Sequence, residues 1–301
     1  DYGGVWEAAN AFAVTNPASA KCDAVVSFGG VAGWMAGFPE APGIASFLFR
    51  LENGALRPYG YTAEGWVALN GKTFTDASEV GWAIGELSRT AMLLRKYGRD
   101  ATAFERHAAK LAKAVVAAAR ADGNLGSQWS IADGTVTAWG GDSGGYVLMG
   151  LARYWQLTHD PSVRDAIDRA FAYYFGHDID RFACTGGAMD CASVDREGIH
   201  PFITAAVALY GETKDARYLD WARRASWYFL SWLYCHNPVY GPETDFAKFG
   251  FRPAGTTIVG AEHPGIDDYG CVLVADFIAL SKFAGEPLWR DVAAFMWRNA
   301  T

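Results

Sequence analysis

The chain has 301 residues, 51% hydrophobic and 20% charged, a balance that supports a large apolar core and excludes wholesale disorder. Its net charge is −7 and it carries no cluster of Lys and Arg, which argues against a nucleic-acid partner. No apolar run reaches the roughly 18 residues that span a bilayer, so no membrane partner is expected.

Residues 1–74 scatter Gly, Pro and Tyr without a sustained period. GVAGWMAG and APGIASFLFRLENG read as short helices or strands. An irregular segment, or one further hairpin, packed on the rest of the chain is the expectation for 1–74. The chain starts at Asp1 rather than Met, as expected of a processed or trimmed protein.

From residue 75 to 301 one layout recurs four times: an apolar helix, a short polar turn and a second, amphipathic helix. EVGWAIGELSRTAMLLRKYGRD leads to ATAFERHAAKLAKAVVAAARA. GGYVLMGLARYWQLTHD leads to PSVRDAIDRAFAYYF. GIHPFITAAVALYGETKD leads to ARYLDWARRASWYFLSWLY, and DDYGCVLVADFIALSKFAGE to PLWRDVAAFMWRN. The turns fall at Asp100, Asp160, Asp215 and Glu286. These lie further apart than the roughly 34–47 residues of common two-helix solenoid repeats, so long loops must join the hairpins. Each acid can cap or favour the helix that follows, and Pro161 and Pro287 stand where a missing N–H costs nothing. The first helix of each pair is rich in Gly, Ala and aromatics and suits an inner layer. The second carries Arg, Lys and Asp on one face and suits an outer layer.

The segments LARYWQLTHDPSVRDAIDRA and ALYGETKDARYLDWARRA, with the loop VDREGIHP before an inner helix, resemble the (α/α)6-toroid, or six-hairpin, carbohydrate-active enzymes. The resemblance implies an all-α (α/α)n toroid over 75–301 as the catalytic domain. Four hairpins are counted rather than six, so the ring is expected to be incomplete or trimmed unless 1–74 supplies another pair. It also implies a carbohydrate substrate: a glycoside hydrolase acting on a polysaccharide or oligosaccharide, uronic-acid-containing or hemicellulosic. A polysaccharide lyase is the alternative, followed by a sugar epimerase and by a non-catalytic glycan-binding or scaffold module.

In such hairpins every inner helix starts at one rim, so the loops that feed the inner helices hold the site. They read TDASEVGW, TAWGGDSGGY, CASVDREGIHP and VGAEHPGIDDYG. Their acids are Asp76, Glu79, Asp142, Asp195, Glu197, Glu262, Asp267 and Asp268. Capping explains any one of them. Together they would crowd negative charge, raise at least one pKa and yield the acid–base pair that glycosidic cleavage needs. Asp142, Asp195, Glu197 and Asp268 are the candidate catalytic acids, with Asp195 also a candidate N-cap. Gly144, Gly145, Gly198 and Gly265 would let a sugar approach the backbone. His200 and His263 are candidates for proton transfer. With Tyr146 or Tyr269 as base and Arg196 or Arg252 neutralising a carboxylate, they would suit the lyase. Asp76 is a further candidate for binding substrate. Trp66, Trp82, Trp129, Trp139 and Tyr240 are candidate stacking platforms among 12 Trp, 14 Tyr and 18 Phe, most of which fill core.

No cofactor and no metal are expected. GGDSGG precedes a helix and gives Ser143 no nucleophile context. Cys235, His236, His263 and Cys271 form only a remote zinc alternative. Of the five cysteines, Cys184 and Cys191 share a short loop and could bridge, which favours a secreted or periplasmic location. Nothing in the residues sets the oligomeric state.

Overall fold

The computed structural model describes residues 74–98, 100–130, 134–186, 193–262 and 264–300, together with the backbone of four strands between 24 and 68. The chain divides into two compact units. The first holds Asp1–Gly140 with Tyr146–Ala170, and the second holds Gly141–Gly145 with Phe171–Thr301.

In the first unit β1 (Ala24–Ser27), β2 (Phe47–Glu52), β3 (Ala55–Thr62) and β4 (Gly65–Ala68) form an antiparallel sheet in sequential order. Glu52 pairs with Ala55 across Asn53-Gly54, a dipeptide that favours two-residue hairpin turns. The described part of APGIASFLFRLENG is thus a strand, whereas GVAGWMAG lies outside the described residues. A second sheet joins β5 (Phe74–Asp76), β6 (Gln128–Ser130) and β7 (Val136–Ala138). It frames the hairpin of α1 (Ala77–Lys96) and α2 (Thr102–Ala118), which pack on each other. Val80, Ala83, Ile84, Leu87, Ala91 and Leu94 of α1 are buried, three and four residues apart as one helix face requires. Burial of each large apolar side chain is worth about 1.5–3 kcal/mol. The helix α3 (Gly144–Thr158) crosses α1 at glycines. A Cβ on Gly81 would lie 2.1 Å from the carbonyl oxygen of Tyr146, and one on Gly150 would lie 2.4 Å from that of Gly81. Only glycine permits this approach of two backbones.

Besides Gly141–Gly145, the second unit holds the last turns of α4 (Pro161–His177). It continues with α5 (His200–Thr213), α6 (Ala216–Leu230), the single turn α7 (Asp245–Lys248), the strand pair β8 (Thr257–Ile258) and β9 (Ile266–Asp267), α8 (Val274–Ala284) and α9 (Pro287–Ala300). The hairpins α5/α6 and α8/α9 pack internally and α8 rests on α5. Aromatic rings weld the core. Phe171 stacks on Trp221 at 4.6 Å, Tyr174 tilts on Phe202, and Phe277 stacks on Trp289 at 5.8 Å. Such pairs add about 0.5–1.5 kcal/mol to simple area burial.

The hairpin turns follow the sequence reading closely. Asp100, Asp160 and Asp215 accept the backbone N–H of Thr102, Ser162 and Arg217 at 2.9, 2.9 and 3.0 Å. The hydroxyls of Thr102 and Ser162, and then these backbone bonds, hold Asp100 and Asp160 below the usual carboxylate range. Glu286 serves differently and accepts the indole N–H of Trp289 at 2.7 Å. The four predicted hairpins correspond to α1/α2, α3/α4, α5/α6 and α8/α9. The strands that the helical pattern did not signal occupy the N-terminal stretch and the loops ahead of α3 and α8.

Candidate functional site

Several site candidates of the second unit, Asp142, Asp195, Arg196, Glu197, His200 and Tyr269, gather around the start of α5. Asp195 makes an isolated antiparallel bridge with Gly260, and the N–H of Arg196 donates to the carbonyl of Val259 at 2.9 Å. The turn that follows is a single 3₁₀ turn, Glu197–Ile199, running into α5. Asp195 Oδ1 accepts the N–H of Gly198 at 2.9 Å, bonding the turn from the residue ahead of its N-cap, Arg196. The Tyr228 hydroxyl on α6 donates to the Asp195 carbonyl at 2.5 Å.

Arg196 is fully buried. Its Nη1 lies 2.7 Å from Nε2 of His200, its Nε donates to the carbonyl of Ile258, and its Nη2 is 3.8 Å from Glu197 Oε1. A guanidinium has only donors, so Nε2 of His200 must accept and the ring proton sits on Nδ1. Burial, then the Arg196 charge, hold the His200 pKa well below its ordinary 6.5. The ring is therefore neutral, and its Nδ1–H is buried without a hydrogen-bond partner among the described residues. Tyr269 stacks on His200 with ring centres 5.2 Å apart and lies under the Arg196 guanidinium at 5.5 Å. It is 40% exposed. Asp268, beside it in the chain, is exposed, and the Glu197 side chain keeps 25% of its surface.

Asp142 also lies in this unit, and it differs from Glu197 and Asp268 in having no exposed surface. Its Oδ1 accepts the N–H of Thr185 at 2.9 Å and the Cys184 thiol hydrogen-bonds to the carboxyl. Oδ2 is buried without a hydrogen-bond partner among the described residues. Burial first, then the charge of Asp195, push its pKa up to about 7, with Asp178 adding to the rise and the Cys184 and Thr185 bonds opposing it. Burial likewise raises the Cys184 thiol far above its usual value.

The glycines expected to admit a sugar instead admit protein. A Cβ on Gly198 would lie 2.6 Å from Asp142 Oδ2, and one on Gly145 would lie 2.4 Å from the ring of Phe202. Gly186 is closed in the same way, by the backbone N of Ser143 at 2.2 Å.

The remaining candidates are placed elsewhere. Asp76, Trp129, Tyr146 and Trp139 belong to the first unit. Asp76 is buried and accepts the Ser78 hydroxyl at 2.6 Å. Trp129 and Tyr146 are buried, and one face of Trp139 is covered by the Arg120 guanidinium at 4.2 Å. Arg252 is exposed, with its carbonyl held by Asn299 at 2.7 Å. Tyr240 clusters with Phe246 and Phe251. His263 and Cys191 lie outside the described residues, as do the side chains of Trp66, Glu79 and Asp267. The Cys184–Cys191 pairing therefore also falls outside them. Among the described residues no three His, Cys, Asp or Glu side chains gather as metal ligands would, and no helix is long and apolar enough to cross a membrane. Sequence reasoning overlooked Thr185, Gly186 and Tyr228, and weighed Cys184 only as a disulfide partner of Cys191. Tyr228 sits on an amphipathic outer helix, where nothing marks it as a partner of the rim.

No family model matches the chain, and no curated protein sequence matches it. Solved structures do resemble it. A sugar epimerase from a ruminal bacterium superposes with a TM-score of 0.55 at 13% identity, over 98% of this chain and 72% of the other. The cellobiose 2-epimerase of Spirochaeta thermophila DSM 6192 gives 0.57 at 13%, over 98% and 71%. A family 76 α-mannanase of Bacteroides thetaiotaomicron gives 0.54 at 10%, over 97% and 70%. At these identities the likeness establishes the fold alone, an α/α toroid.

Proposed function

We propose that the chain is a glycoside hydrolase, acting on a polysaccharide or oligosaccharide at the surface formed by Glu197, Asp268 and Tyr269. The observation that carries this reading is the layered arrangement at the start of α5. A buried Arg196–His200 pair backs an exposed Tyr269 ring, and two carboxylates that keep solvent access, Glu197 beside Arg196 and Asp268 beside Tyr269, adjoin it in the chain. A sugar ring stacks on the exposed part of the Tyr269 ring, which keeps 40% of its surface, as apolar sugar faces do on aromatic rings. Arg196, 3.8 Å from Glu197, stabilises negative charge there, which suits Glu197 to act as base or nucleophile. Asp268 then donates the proton to the glycosidic oxygen as the C–O bond breaks. With Glu197 as nucleophile, water then displaces it from the anomeric carbon and returns a proton to Asp268; with Glu197 as base, the proton it takes from water passes to solvent and Asp268 regains one from solvent, so both are restored over the cycle.

The names of the structural neighbours include epimerases as well as a mannanase. Lyase and epimerase chemistry needs a base that removes a carbon-bound proton. His200 does not suit that role, because Arg196 occupies its one lone-pair nitrogen. Arg196, having no exposed surface, does not suit pairing with a substrate carboxylate. The experiment is a product assay across plant and bacterial glycans. New reducing ends without absorbance near 235 nm, lost in Glu197→Gln and Asp268→Asn, support the hydrolase. Absorbance at 235 nm would mean a lyase, and altered sugar configuration without new ends an epimerase; either overturns the proposal.

A further inference from the structure

We infer that Asp142 is a proton-operated latch: it holds the Asp195–Gly198 turn closed as a neutral carboxylic acid, and its ionisation loosens that turn and Glu197 with it. This goes beyond the hydrolase reading and does not depend on it.

The inference stands on geometry. The carboxyl is wholly buried, and one of its oxygens, Oδ2, has no hydrogen-bond donor among the described residues. An ionised oxygen left so is far more costly than a neutral one. The titratable groups facing Asp142 are Asp195 on the bridged turn, Asp178 after α4, the Cys184 thiol and, from α6, the Tyr228 phenol. None of them supplies a positive charge. Arg196 directs its guanidinium to His200 and to the carbonyl of Ile258. Gly198 packs so closely on Oδ2 that a methyl group would not fit between them, so a charge arising there is felt by the turn directly. Burial and the Asp195 charge set the Asp142 titration at about 7, inside the range that secreted and intracellular proteins encounter.

The sign follows from linkage. The folded state keeps a proton that the unfolded aspartate releases near 3.8, so stability is full below about pH 4 and is lost as pH rises towards about 7. His200 acts in the opposite sense. Its neutral ring is favoured in the fold, so stability is lost as pH falls below 6.5. Comparison of wild type with Asp142→Asn cancels the His200 contribution, because that residue is present in both.

The experiment is thermal unfolding of both proteins from pH 5 to pH 8.5, with hydrogen exchange at the amides of Thr185 and Gly198. Asparagine keeps the acceptor for Thr185 and cannot ionise. The wild-type midpoint should fall relative to the variant by on the order of 5 °C between the two ends. The two amides should lose protection with rising pH in wild type only. A midpoint difference that stays constant across the range would overturn the latch. If Asp142→Asn does not fold, ¹³Cγ NMR of aspartate-labelled wild type decides. A carboxyl titrating near pH 7, with the Gly198 amide shifting alongside, supports the proposal, and no aspartate titrating above pH 6 refutes it.

Discussion

The helices α5 and α8 both open a hairpin in the second unit, and each begins from a 3₁₀ turn preceded by acid. The chain treats the two lead-in turns in opposite ways. At the start of α5, Asp195, Arg196 and His200 are all buried and bonded to the protein, so among residues 195–200 only Glu197 keeps access to solvent. Ahead of α8, Asp268 and Tyr269 stand exposed. The first turn is a frame and the second a surface, although their sequences, VDREGIHP and GIDDYG, advertise acids equally. Acid content at a rim therefore says where charge collects, while burial and backbone contact decide which acids can meet a ligand.

The contrast can be broken by substitution. The largest effect is expected for Glu197→Gln, which should lower turnover by about 10²–10⁴-fold with the unfolding midpoint unchanged; steady-state kinetics and calorimetry together test it. Arg196→Met removes a buried donor set shared by His200 and Ile258 and should cost about 3–5 kcal/mol of stability, read by denaturant unfolding. A silent Arg196→Met would mean that the turn leading into α5 is not the frame described. Gly198→Ala forces a methyl group against Asp142 and should cost about 1–3 kcal/mol, whereas Gly285→Ala, with no atom near its Cβ, loses only backbone compatibility at φ 69°. The smallest effect belongs to Asp215→Ala, which removes the α6 cap and should cost about 1 kcal/mol without altering activity.

Much of the fold could be read in advance because it depends on local rules. Helical periodicity, Pro161 and Pro287 at helix starts, and Asp100, Asp160 and Asp215 before them located the hairpins to within a few residues. The short strands β5–β9 run two or three residues each and leave too little pattern to read. The Asn53-Gly54 pair between β2 and β3 was a legible signal, but it sat in a stretch dominated by Gly and Pro. The site was legible as a set of loops and illegible as chemistry. Asp142 meets Thr185 across 43 residues of sequence and Tyr228 meets the Asp195 carbonyl across 33, and no spacing rule reports such contacts. Gly198 and Gly145 looked like room for a ligand; the space proves to be filled by Asp142 and by Phe202.

The hydrolase proposal is tested most directly by a crystal structure of Glu197→Gln with an oligosaccharide substrate bound. The expected result is a sugar ring stacked on the exposed face of Tyr269, with residue 197 and Asp268 within hydrogen-bond reach of the scissile linkage. A glycan bound away from Tyr269, or one in direct contact with Asp142, would contradict it.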